Sequence, residues 1–476
     1  MSIWRKKPIE AYQAEAKRND LHRVLTRWGL TSLGIGAIIG GGIFTLTGIA
    51  ANEHAGPALA LAFVIAGIGC LFASLCYAEF ASVLPVEGSA YAYAYGTIGE
   101  LFAWFIGWNL ILEYMMGATT VAVPWSGYFN KLLHLFNIHL PEQWVNDPTT
   151  YGGPAFNILA FLITWVITAI LVKGIKEAAS TNNIIVVLKV AVVLFVIIAG
   201  AFYVDPSNWT PFIPDEVIDK DGHVHYGFGG VLTAATIVFF AYIGFDAVST
   251  QAGEAINPKK DVPFAIIASL IICTVLYIAV SLVLTGMVKY DQLDLKAPVA
   301  SAFSGQGLTW AVYLVTIAAT AGLMSVMLVM MLGQTRIFLG MAKDGLLPRG
   351  LFGSLHPKFK TPWKSTILVG FIVSIVAALT PIQNISEMCS MGTLLAFSMV
   401  CLAVLVLRMK EPDLERPYKT PWVWVVAPLG VGFNVFLMTQ VRHNTMTFFV
   451  IWGTLGLLVY ALYSRRNSNL HPKGAE

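Results

Sequence analysis

The chain has 476 residues, of which 57% are hydrophobic and only 12% are charged, and its formal net charge is +3. That charge fraction is about half of what a soluble domain carries, so the composition excludes an ordinary soluble protein and indicates a membrane protein. The five cysteines all lie in apolar segments, without the spacing of a metal site or of secreted disulfides. We therefore expect neither a metal nor a cofactor.

Apolar segments recur along the whole chain, and most are long enough to cross a hydrocarbon core of about 30 Å as helices. They predict an all-α polytopic membrane protein with a single membrane domain at residues 28–464, between an N-terminal tail at 1–27 and a C-terminal tail at 465–476. Twelve spans are expected, at residues 28–51, 55–80, 98–125, 155–174, 181–203, 229–253, 263–288, 308–335, 365–380, 385–407, 421–440 and 446–464.

The lysines and arginines predict the orientation of these spans. If both tails face the cytoplasm, the segments on that side hold 24 of the 30 basic residues and the outer loops hold 5, while Lys189 lies inside a span. The positive excess then belongs to the cytoplasmic membrane surface, and nothing indicates binding to nucleic acid. We expect a multi-pass protein of the cell membrane with cytoplasmic N and C termini.

The first span contains five glycines between residues 34 and 42, including the consecutive Gly40, Gly41 and Gly42. Each glycine weakens a helix by about 1 kcal/mol relative to alanine, so the run predicts a helix that opens at mid-membrane. Backbone groups freed by such a break must face protein or a water-filled cavity. Glycines also allow helices to pack closely, and this segment alone favours neither interpretation.

A second interruption is indicated in span six, where Gly244 and Asp246 lie near the middle of an apolar segment. Gly244 could be a packing residue, and Asp246 could be the N-cap of an inner half-helix. An acidic side chain at that depth is costly, however, which favours a functional break. Interruptions at matching positions, five spans apart, are typical of transporters built from inverted repeats.

Several motifs carry a more specific resemblance. Residues 36–44 (GAIIGGGIF), 240–246 (FAYIGFD) and 254–258 (EAINP) are similar to the amino acid–polyamine–organocation superfamily. Residues 336–348 (RIFLGMAKDGLLP) and 416–422 (RPYKTPW) resemble the bacterial branch of the cationic amino acid transporter family. The resemblance covers essentially the whole chain. It implies a LeuT-type core whose residues 28–203 and 229–407 are inverted repeats of five helices, with helices 1 and 6 unwound at mid-membrane and two extra helices at 421–464.

The first break suits the carboxylate of an amino acid. The outer half of span one begins at Gly40, Gly41 and Gly42, and the free N–H groups and positive dipole end of a helix attract anions. Carbonyl oxygens left unpaired where each first half-helix ends suit an ammonium group. The resemblance implies an L-amino acid as the substrate, and these two features suit its carboxylate and its ammonium group.

The resemblance assigns the ammonium-binding role to backbone oxygens near Ile38, Phe240, Ala241 and Ile243. It also makes Phe240 an aromatic gate over the substrate, with Asp246 as a second gating residue. On sequence alone, Phe240 could equally be an ordinary core residue.

Lys189 is the only basic residue well inside a predicted span, since Lys173 lies at the very end of its own span, and it lies about 12 Å deep at 1.5 Å per residue. A lysine buried in this way can lose its proton near neutral pH. Its side chain could instead snorkel toward the membrane surface. In related transporters a lysine in this span resembles a substitute for bound sodium, so the resemblance implies coupling to protons.

Two further residues are candidates for the site. Glu113 lies near the centre of span three, where a buried carboxyl could bind the substrate or take part in proton coupling, or could be a hydrogen-bonded structural acid. Met324 in span eight is predicted to form the end wall of the side-chain pocket. A bulky thioether there favours small neutral side chains over cationic ones, although it could also be a core residue.

The sequence therefore predicts a proton-coupled transporter that takes up L-amino acids by alternating access. An intramembrane enzyme is disfavoured, because no His-Glu-x-x-His, Gly-x-Ser-x-Gly or Walker motif is present. Amino acid exchange by the same fold, and uptake of cationic amino acids, remain alternatives. The expected partners are the amino acid, protons and the lipid bilayer, and the sequence does not determine whether an accessory subunit binds.

Overall fold

The computed structural model describes residues 5–8, 11–12, 23–84, 86, 89–218, 224–294, 297–439 and 443–470. Most of the predicted N-terminal tail and residues 471–476 of the C-terminal tail lie outside the described residues. The same holds for Lys220, Lys296 and Arg442, which were counted in the prediction of orientation.

Helices form nearly all of the regular structure. The α-helices longer than four residues are α1 (Arg27–Ile38), α2 (Leu59–Val83), α3 (Ala90–Thr97), α4 (Glu100–Leu135), α5 (Ile158–Lys173), α6 (Ile175–Ala201), α7 (Gly227–Phe239), α8 (Pro258–Met287), α9 (Pro298–Gly305), α10 (Thr309–Lys343), α11 (Trp363–Leu379), α12 (Ile382–Lys410), α13 (Val423–Thr439) and α14 (His443–Val459). The short helical pieces are Gly42–Leu46, Thr47–Ile49, Ala50–Ala55, Gly56–Ala58, Glu142–Trp144, Pro148–Tyr151, Pro206–Trp209, Phe240–Tyr242, Asp246–Glu254, Tyr290–Gln292, Arg349–Phe352, Tyr460–Ser464 and Arg465–Asn467.

One small sheet departs from the all-α prediction. In the loop after α6, β1 (Val217–Ile218) pairs antiparallel with β2 (Val224–His225), and Val217 lies opposite His225. A hairpin this short satisfies the backbone of a polar loop and leaves the helical architecture unchanged.

Within the described residues, eight helical segments are long and apolar enough to cross a membrane. Three shorter apolar helices, α5, α11 and α13, accompany them. The prediction of a polytopic helical membrane protein is therefore confirmed, while the count of twelve spans stays a prediction. Helices α4 and α10 extend furthest beyond their predicted C-terminal ends: α4 continues through Pro124 to Leu135, and α10 continues to Lys343.

The helix of the first span is interrupted where the glycines predicted it. Helix α1 ends at Ile38, and Ile39 has an extended conformation with ψ of 104°. The chain becomes helical again at the Gly42–Leu46 piece, which is π-helical. A run of short helical pieces then leads directly into α2.

The helix of the sixth span is interrupted in the same way. Helix α7 ends at Phe239 and tightens into the short Phe240–Tyr242 turn. Ile243 is extended with ψ of 130°, and Gly244 has φ of +124°, a conformation that side chains other than glycine rarely adopt. The chain then enters the Asp246–Glu254 piece, a 3-10 helix.

The two breaks lie inside the helix bundle. Helix α10 packs along α4, α8 packs along α2, and α12 packs along α4. Helix α1 contacts α6, α8 and α10, so the first break is enclosed by three long helices. The backbone groups that the break frees therefore face protein, as a membrane interior requires.

Arg336 lies just beyond the predicted end of the eighth span at residue 335, but the helix continues through it. It lies within α10 and is buried, because its guanidinium forms a bidentate ion pair with Glu254. Nη2 is 2.7 Å from Oε1, and Nε is 3.2 Å from Oε2. Helix α10 can continue through Arg336 because the carboxylate of Glu254 neutralises its charge. The same ion pair connects the motif at 254–258 to the motif at 336–348.

Replacing Glu254 by glutamine is expected to destabilise the protein. It leaves the buried arginine without a counter-ion, and breaking a buried pair in this way costs about 3–5 kcal/mol. The thermal unfolding midpoint of purified Glu254→Gln should therefore fall clearly. Lys289→Ala is the control, because it removes one partner of the exposed Lys289–Asp291 pair and should have little effect. Equal midpoints for the two variants would contradict the structural role of the Glu254–Arg336 pair.

Candidate functional site

The two breaks pack against each other through a reciprocal pair of glycine contacts. A Cβ atom on Gly42 would lie 2.2 Å from the Cβ of Ala241, and one on Gly244 would lie 2.7 Å from the Cβ of Ala37. Each break thus places a glycine against an alanine of the other. Gly42 and Gly244 are packing residues in this structure, and their packing is what brings the two breaks together.

A small cavity of about 20 Å³ lies at this junction. Its walls come from both breaks and from α4, α10 and α12. The lining residues are Ala37, Ile38, Gly40, Gly41, Gly42, Gly117, Val121, Phe240, Ala241, Ile243, Val326, Met330 and Cys389. Every backbone position predicted to bind substrate is therefore at one cavity, together with the predicted aromatic gate Phe240.

Gly41 differs from its glycine neighbours. A Cβ on Gly40 would lie 2.6 Å from Val326 Cγ2, whereas the nearest atom to a Cβ on Gly41 is Leu323 Cδ2 at 3.6 Å, an ordinary contact. The space beside Gly41 is thus free of protein side chains at close range. The first N–H groups of a helix have no partner within that helix, and Gly41 lies at such a start.

Tyr277 of α8 connects the two breaks by hydrogen bonds. Its hydroxyl lies 2.7 Å from the carbonyl oxygen of Ile38 and 3.1 Å from that of Ala241, and it is fully buried. These are two of the carbonyl positions predicted to receive an ammonium group. Sequence reasoning did not identify Tyr277, although a tyrosine in the middle of an apolar span is a signal that could have been followed.

Lys189 of α6 lies at the other side of the first break and is fully buried. Its Nζ donates to the carbonyl oxygens of Gly36 at 2.8 Å and Ile39 at 2.6 Å, and lies 3.5 Å from the carbonyl oxygen of Gly322. The side chain therefore points into the bundle and does not snorkel. Within the described residues Lys189 has no carboxylate partner, and its hydrogen bonds go to backbone carbonyl oxygens.

Two polar side chains support the same stretch of α1. Ser325 of α10 donates to the carbonyl oxygen of Gly36 at 3.1 Å and lies 2.6 Å from Oδ1 of Asn182. Asn182 of α6 in turn donates to the carbonyl oxygen of Ser32 at 3.2 Å. The sequence analysis did not identify Ser325 or Asn182, which together tie α6 and α10 to the end of α1.

The two predicted acidic residues lie behind the cavity. Glu113 of α4 is buried, and its main-chain carbonyl accepts a hydrogen bond from Cys389, which does line the cavity. Asp246 is also buried, and it accepts a hydrogen bond of 2.6 Å from the hydroxyl of Tyr114. No ion pair joins Glu113 to Lys189 in the described part of the chain. The structure thus places both acids one layer away from the predicted substrate position.

Met324 is not among the residues that line the cavity. It is partly buried and packs against the hydrophobic core, whereas Val326 and Met330 of the same helix reach the cavity wall. A helix turns by about 100° per residue, so neighbouring positions on α10 face different directions. The role of Met324 as the end wall of a substrate side-chain pocket stays a prediction, and Met330 is the methionine that lines this cavity.

No group of three or more histidine, cysteine or acidic side chains is arranged to hold a metal ion among the described residues. The candidate site consists of backbone dipoles, the Lys189 amine, a few polar side chains such as Tyr277, and apolar walls. At about 20 Å³ the cavity has room for about one water molecule, so a larger dipolar molecule would bind there only when the two breaks move apart.

These features define a polytopic helical membrane protein in which two interrupted helices meet at a cavity. Residues 25–459 match the amino acid permease family, and the chain belongs to that family. It is 44% identical over 470 residues to a methylthioribose transporter of Bacillus subtilis, and 45% identical over 474 residues to a branched-chain amino acid permease of the same organism. Both alignments cover 99% of this chain and 99% of the relative.

A more distant relative is the vacuolar cationic amino acid transporter 2 of Arabidopsis thaliana. It is 38% identical over 419 residues, which is 87% of this chain and 64% of the relative. The resemblance to the amino acid–polyamine–organocation superfamily and to cationic amino acid transporters is therefore confirmed. These relatives are permeases and transporters, and none of those named here is an enzyme.

Replacing Gly41 and Gly42 by alanine is expected to have different effects. Gly42→Ala should destabilise the fold, because its Cβ would overlap Ala241 at 2.2 Å. Gly41→Ala should keep the wild-type unfolding midpoint, since its Cβ meets only an ordinary contact, but should weaken amino acid binding about tenfold if a carboxylate occupies that space. Thermal unfolding and calorimetric binding measure the two effects. If folded Gly41→Ala binds the amino acid with wild-type affinity, Gly41 does not contact the bound substrate.

Tyr277→Phe tests the hydroxyl that joins the two breaks. Its loss leaves two buried carbonyl oxygens without this donor, which costs about 1–3 kcal/mol. We expect a lower unfolding midpoint and weaker amino acid binding. Tyr313→Phe, at a 38% exposed tyrosine of α10, is the matched control and should change neither quantity. If Tyr277→Phe behaves like this control, the hydroxyl does not hold the breaks together.

Proposed function

We propose that the protein takes up L-amino acids with small neutral side chains together with protons, by alternating access. The proposal includes a twelve-helix LeuT-type architecture, with residues 28–203 and 229–407 as inverted repeats and 421–464 as two additional helices. It places the chain in the cell membrane with both termini in the cytoplasm. The main observation behind the proposal is that the fully buried amine of Lys189 donates hydrogen bonds to the carbonyl oxygens at the end of α1.

Two features support the architecture. The breaks fall five predicted spans apart and contact each other reciprocally, through Gly42 on Ala241 and Gly244 on Ala37. Such paired interruptions are the sequence mark of inverted-repeat transporters. The described ends of the chain also share one face of the protein, because Arg5 donates to the carbonyl oxygen of Leu470 at 2.9 Å. The excess of basic residues on that face supports its assignment to the cytoplasm.

The cavity supports an amino acid as substrate. Its carboxylate would accept hydrogen bonds from the N–H groups at the start of the helix after the first break, where the helix dipole is positive. Its ammonium group would donate to the carbonyl oxygens of Ile38 and Ala241. Each of these oxygens already accepts from Tyr277, and a carbonyl oxygen has a second lone pair to offer.

The side chains around the cavity favour neutral substrates. Val326, Met330 and Phe240 are apolar, and no carboxylate is among the lining residues. A cationic side chain would enter this space without a counter-ion, which is costly. The branched-chain amino acid permease at 45% identity agrees with this preference. A sugar such as methylthioribose would need several hydrogen-bond partners for its hydroxyl groups, and the apolar walls supply few.

Lys189 supports coupling to protons. A charged ammonium interacts with carbonyl oxygens about twice as strongly as a neutral donor does. Protonation would therefore favour the conformation in which the carbonyls of Gly36 and Ile39 converge on the amine, and loss of the proton would release the end of α1. A ligand shifts a conformational equilibrium only through such a difference in affinity between states. Because this same stretch leads into the substrate cavity, proton binding and substrate binding would be linked.

Variants of Lys189 test this coupling in sealed proteoliposomes. Uptake of a neutral amino acid should rise with an inward proton gradient, should not require sodium, and should collapse when a protonophore is added. Lys189→Ala should abolish accumulation while leaving an inserted protein that still binds amino acid. Lys189→Arg should also fail, because a guanidinium stays charged at any accessible pH. Lys131→Ala, at an exposed lysine of α4, should transport normally.

Three results would contradict the proposal. Full proton-driven accumulation by Lys189→Ala would exclude Lys189 as the coupling residue, and Glu113→Gln would then be tested in the same way. Uptake that needs an amino acid inside the vesicle and ignores the proton gradient would instead establish an exchanger. Preferential uptake of arginine or lysine would overturn the preference for neutral substrates.

Substitutions on α10 test the size of the side-chain pocket. Met330→Ser should widen the range of accepted amino acids toward longer side chains, because Met330 lines the cavity. Met324→Ser is the matched control on the same helix and should keep the wild-type ranking in competition uptake. If Met324→Ser changes the ranking and Met330→Ser does not, the pocket wall is formed by Met324, as predicted from the sequence.

A further inference from the structure

A second, larger cavity of about 320 Å³ lies on the face where the two ends of the chain meet. It is separate from the substrate cavity and shares none of its lining residues. Three segments form it, namely the N-terminal segment, the end of α3, and the end of α12 with the residues that follow. The lining residues are Lys6, Lys7, Pro8, Gly96, Thr97, Val406, Leu407, Lys410, Glu411 and Leu414.

The N-terminal wall of this cavity is held in place on both sides of Lys6. The carbonyl oxygen of Arg5 accepts from the N–H of Glu100 at 2.8 Å, and the N–H of Lys7 donates to the carbonyl oxygen of Tyr95 at 3.2 Å. The side chain of Lys7 is committed to Asp344, whose Oδ1 lies 2.5 Å from Nζ. Backbone hydrogen bonds on both sides therefore hold Lys6 in position. The charge of its neighbour Lys7 is neutralised by Asp344.

Lys6 and Lys410, the last residue of α12, both line this cavity, and their side chains lie close to each other. In the described part of the chain neither lysine forms an ion pair with a carboxylate. The pKa of Lys6 is lowered by partial burial and by the charge of Lys410, while Glu411 acts in the opposite direction. Two like charges held close together repel each other, and an anion between them would remove that repulsion.

The size and position of the cavity indicate the kind of anion. A volume of about 320 Å³ is far larger than one water molecule occupies and leaves room for a phosphate with substituents. The neighbouring surface of α12 is apolar, because Leu402 is 39% exposed and Met409 is 62% exposed. A hydrophobic surface beside paired lysines is the arrangement expected where a phospholipid headgroup meets a membrane protein.

We propose that this cavity binds a phosphate-bearing anion through Lys6 and Lys410. The anion would be the headgroup phosphate of an anionic phospholipid or a soluble phosphate, and both share the chemistry that two ammonium groups recognise. By bridging the two lysines it would tie the N-terminal segment to the end of α12. This inference does not depend on the substrate or on the coupling ion.

The test uses the purified full-length protein and measures its thermal unfolding midpoint in two titrations. One adds phosphatidylglycerol to detergent-solubilised protein, with phosphatidylcholine as the neutral comparison. The other adds inorganic phosphate, with chloride at equal ionic strength as the comparison. The variants are Lys6→Ala, Lys410→Ala and Lys410→Arg. Lys358→Ala serves as the control, because it removes one exposed positive charge that does not line the cavity.

We expect saturable stabilisation by at least one of the two phosphate sources. Each alanine substitution at Lys6 or Lys410 should weaken the apparent affinity by about fivefold, whereas Lys410→Arg and Lys358→Ala should keep it. Response to phosphatidylglycerol alone identifies a lipid headgroup, and response to inorganic phosphate identifies a soluble anion. Absence of any phosphate-specific stabilisation would overturn the proposal. An equal loss in Lys358→Ala would also overturn it, because general surface charge would then account for binding.

Discussion

The site depends on how the carbonyl oxygens at the end of α1 are satisfied inside the membrane. A helix that opens there frees backbone groups, and lipid offers them no hydrogen bonds. Lys189 donates to Gly36 and Ile39, Ser325 also donates to Gly36, and Tyr277 donates to Ile38. These donors come from α6, α10 and α8, so three neighbouring helices stabilise the break. Without these donors, the unpaired carbonyl oxygens would favour a continuous helix over the open segment.

A second constraint comes from the close approach of the two breaks. Gly42 and Gly244 leave no room for a side chain, because each lies against an alanine of the opposite break. Tyr277 adds a hydrogen-bonded link between the same segments. The two breaks are therefore mechanically connected, and a change of conformation in one must be accommodated by the other. That connection suits a permease in which the substrate contacts both breaks at once.

The sequence predicted the parts of the site that are marked by unusual residues in an apolar segment. Glycines destabilise a helix, and an acidic or basic side chain is unfavourable in the membrane interior. Such residues therefore indicated the positions of both breaks and of Lys189. Tyr277 was not predicted, because a tyrosine is common in the core of a helix bundle. Its importance depends on the carbonyl oxygens of Ile38 and Ala241, which are distant from it in the sequence. The sequence pointed to Met324 and not to Met330, because sequence alone does not determine which face of a long helix meets the cavity. The buried position of Arg336 depends on Glu254, which is 82 positions away.

Two buried basic residues of this protein differ in the groups that satisfy their side chains. Arg336 has a bidentate carboxylate partner, and a guanidinium in such a pair keeps its charge in every state. Lys189 donates to backbone carbonyls, and an ammonium without a counter-ion in the membrane interior is costly. The neutral amine removes that cost, while the charged form gains stronger bonds to the end of α1. The hydrogen-bond acceptors of Lys189 thus belong to the segment that forms the first break, whereas Arg336 is paired with a carboxylate outside it.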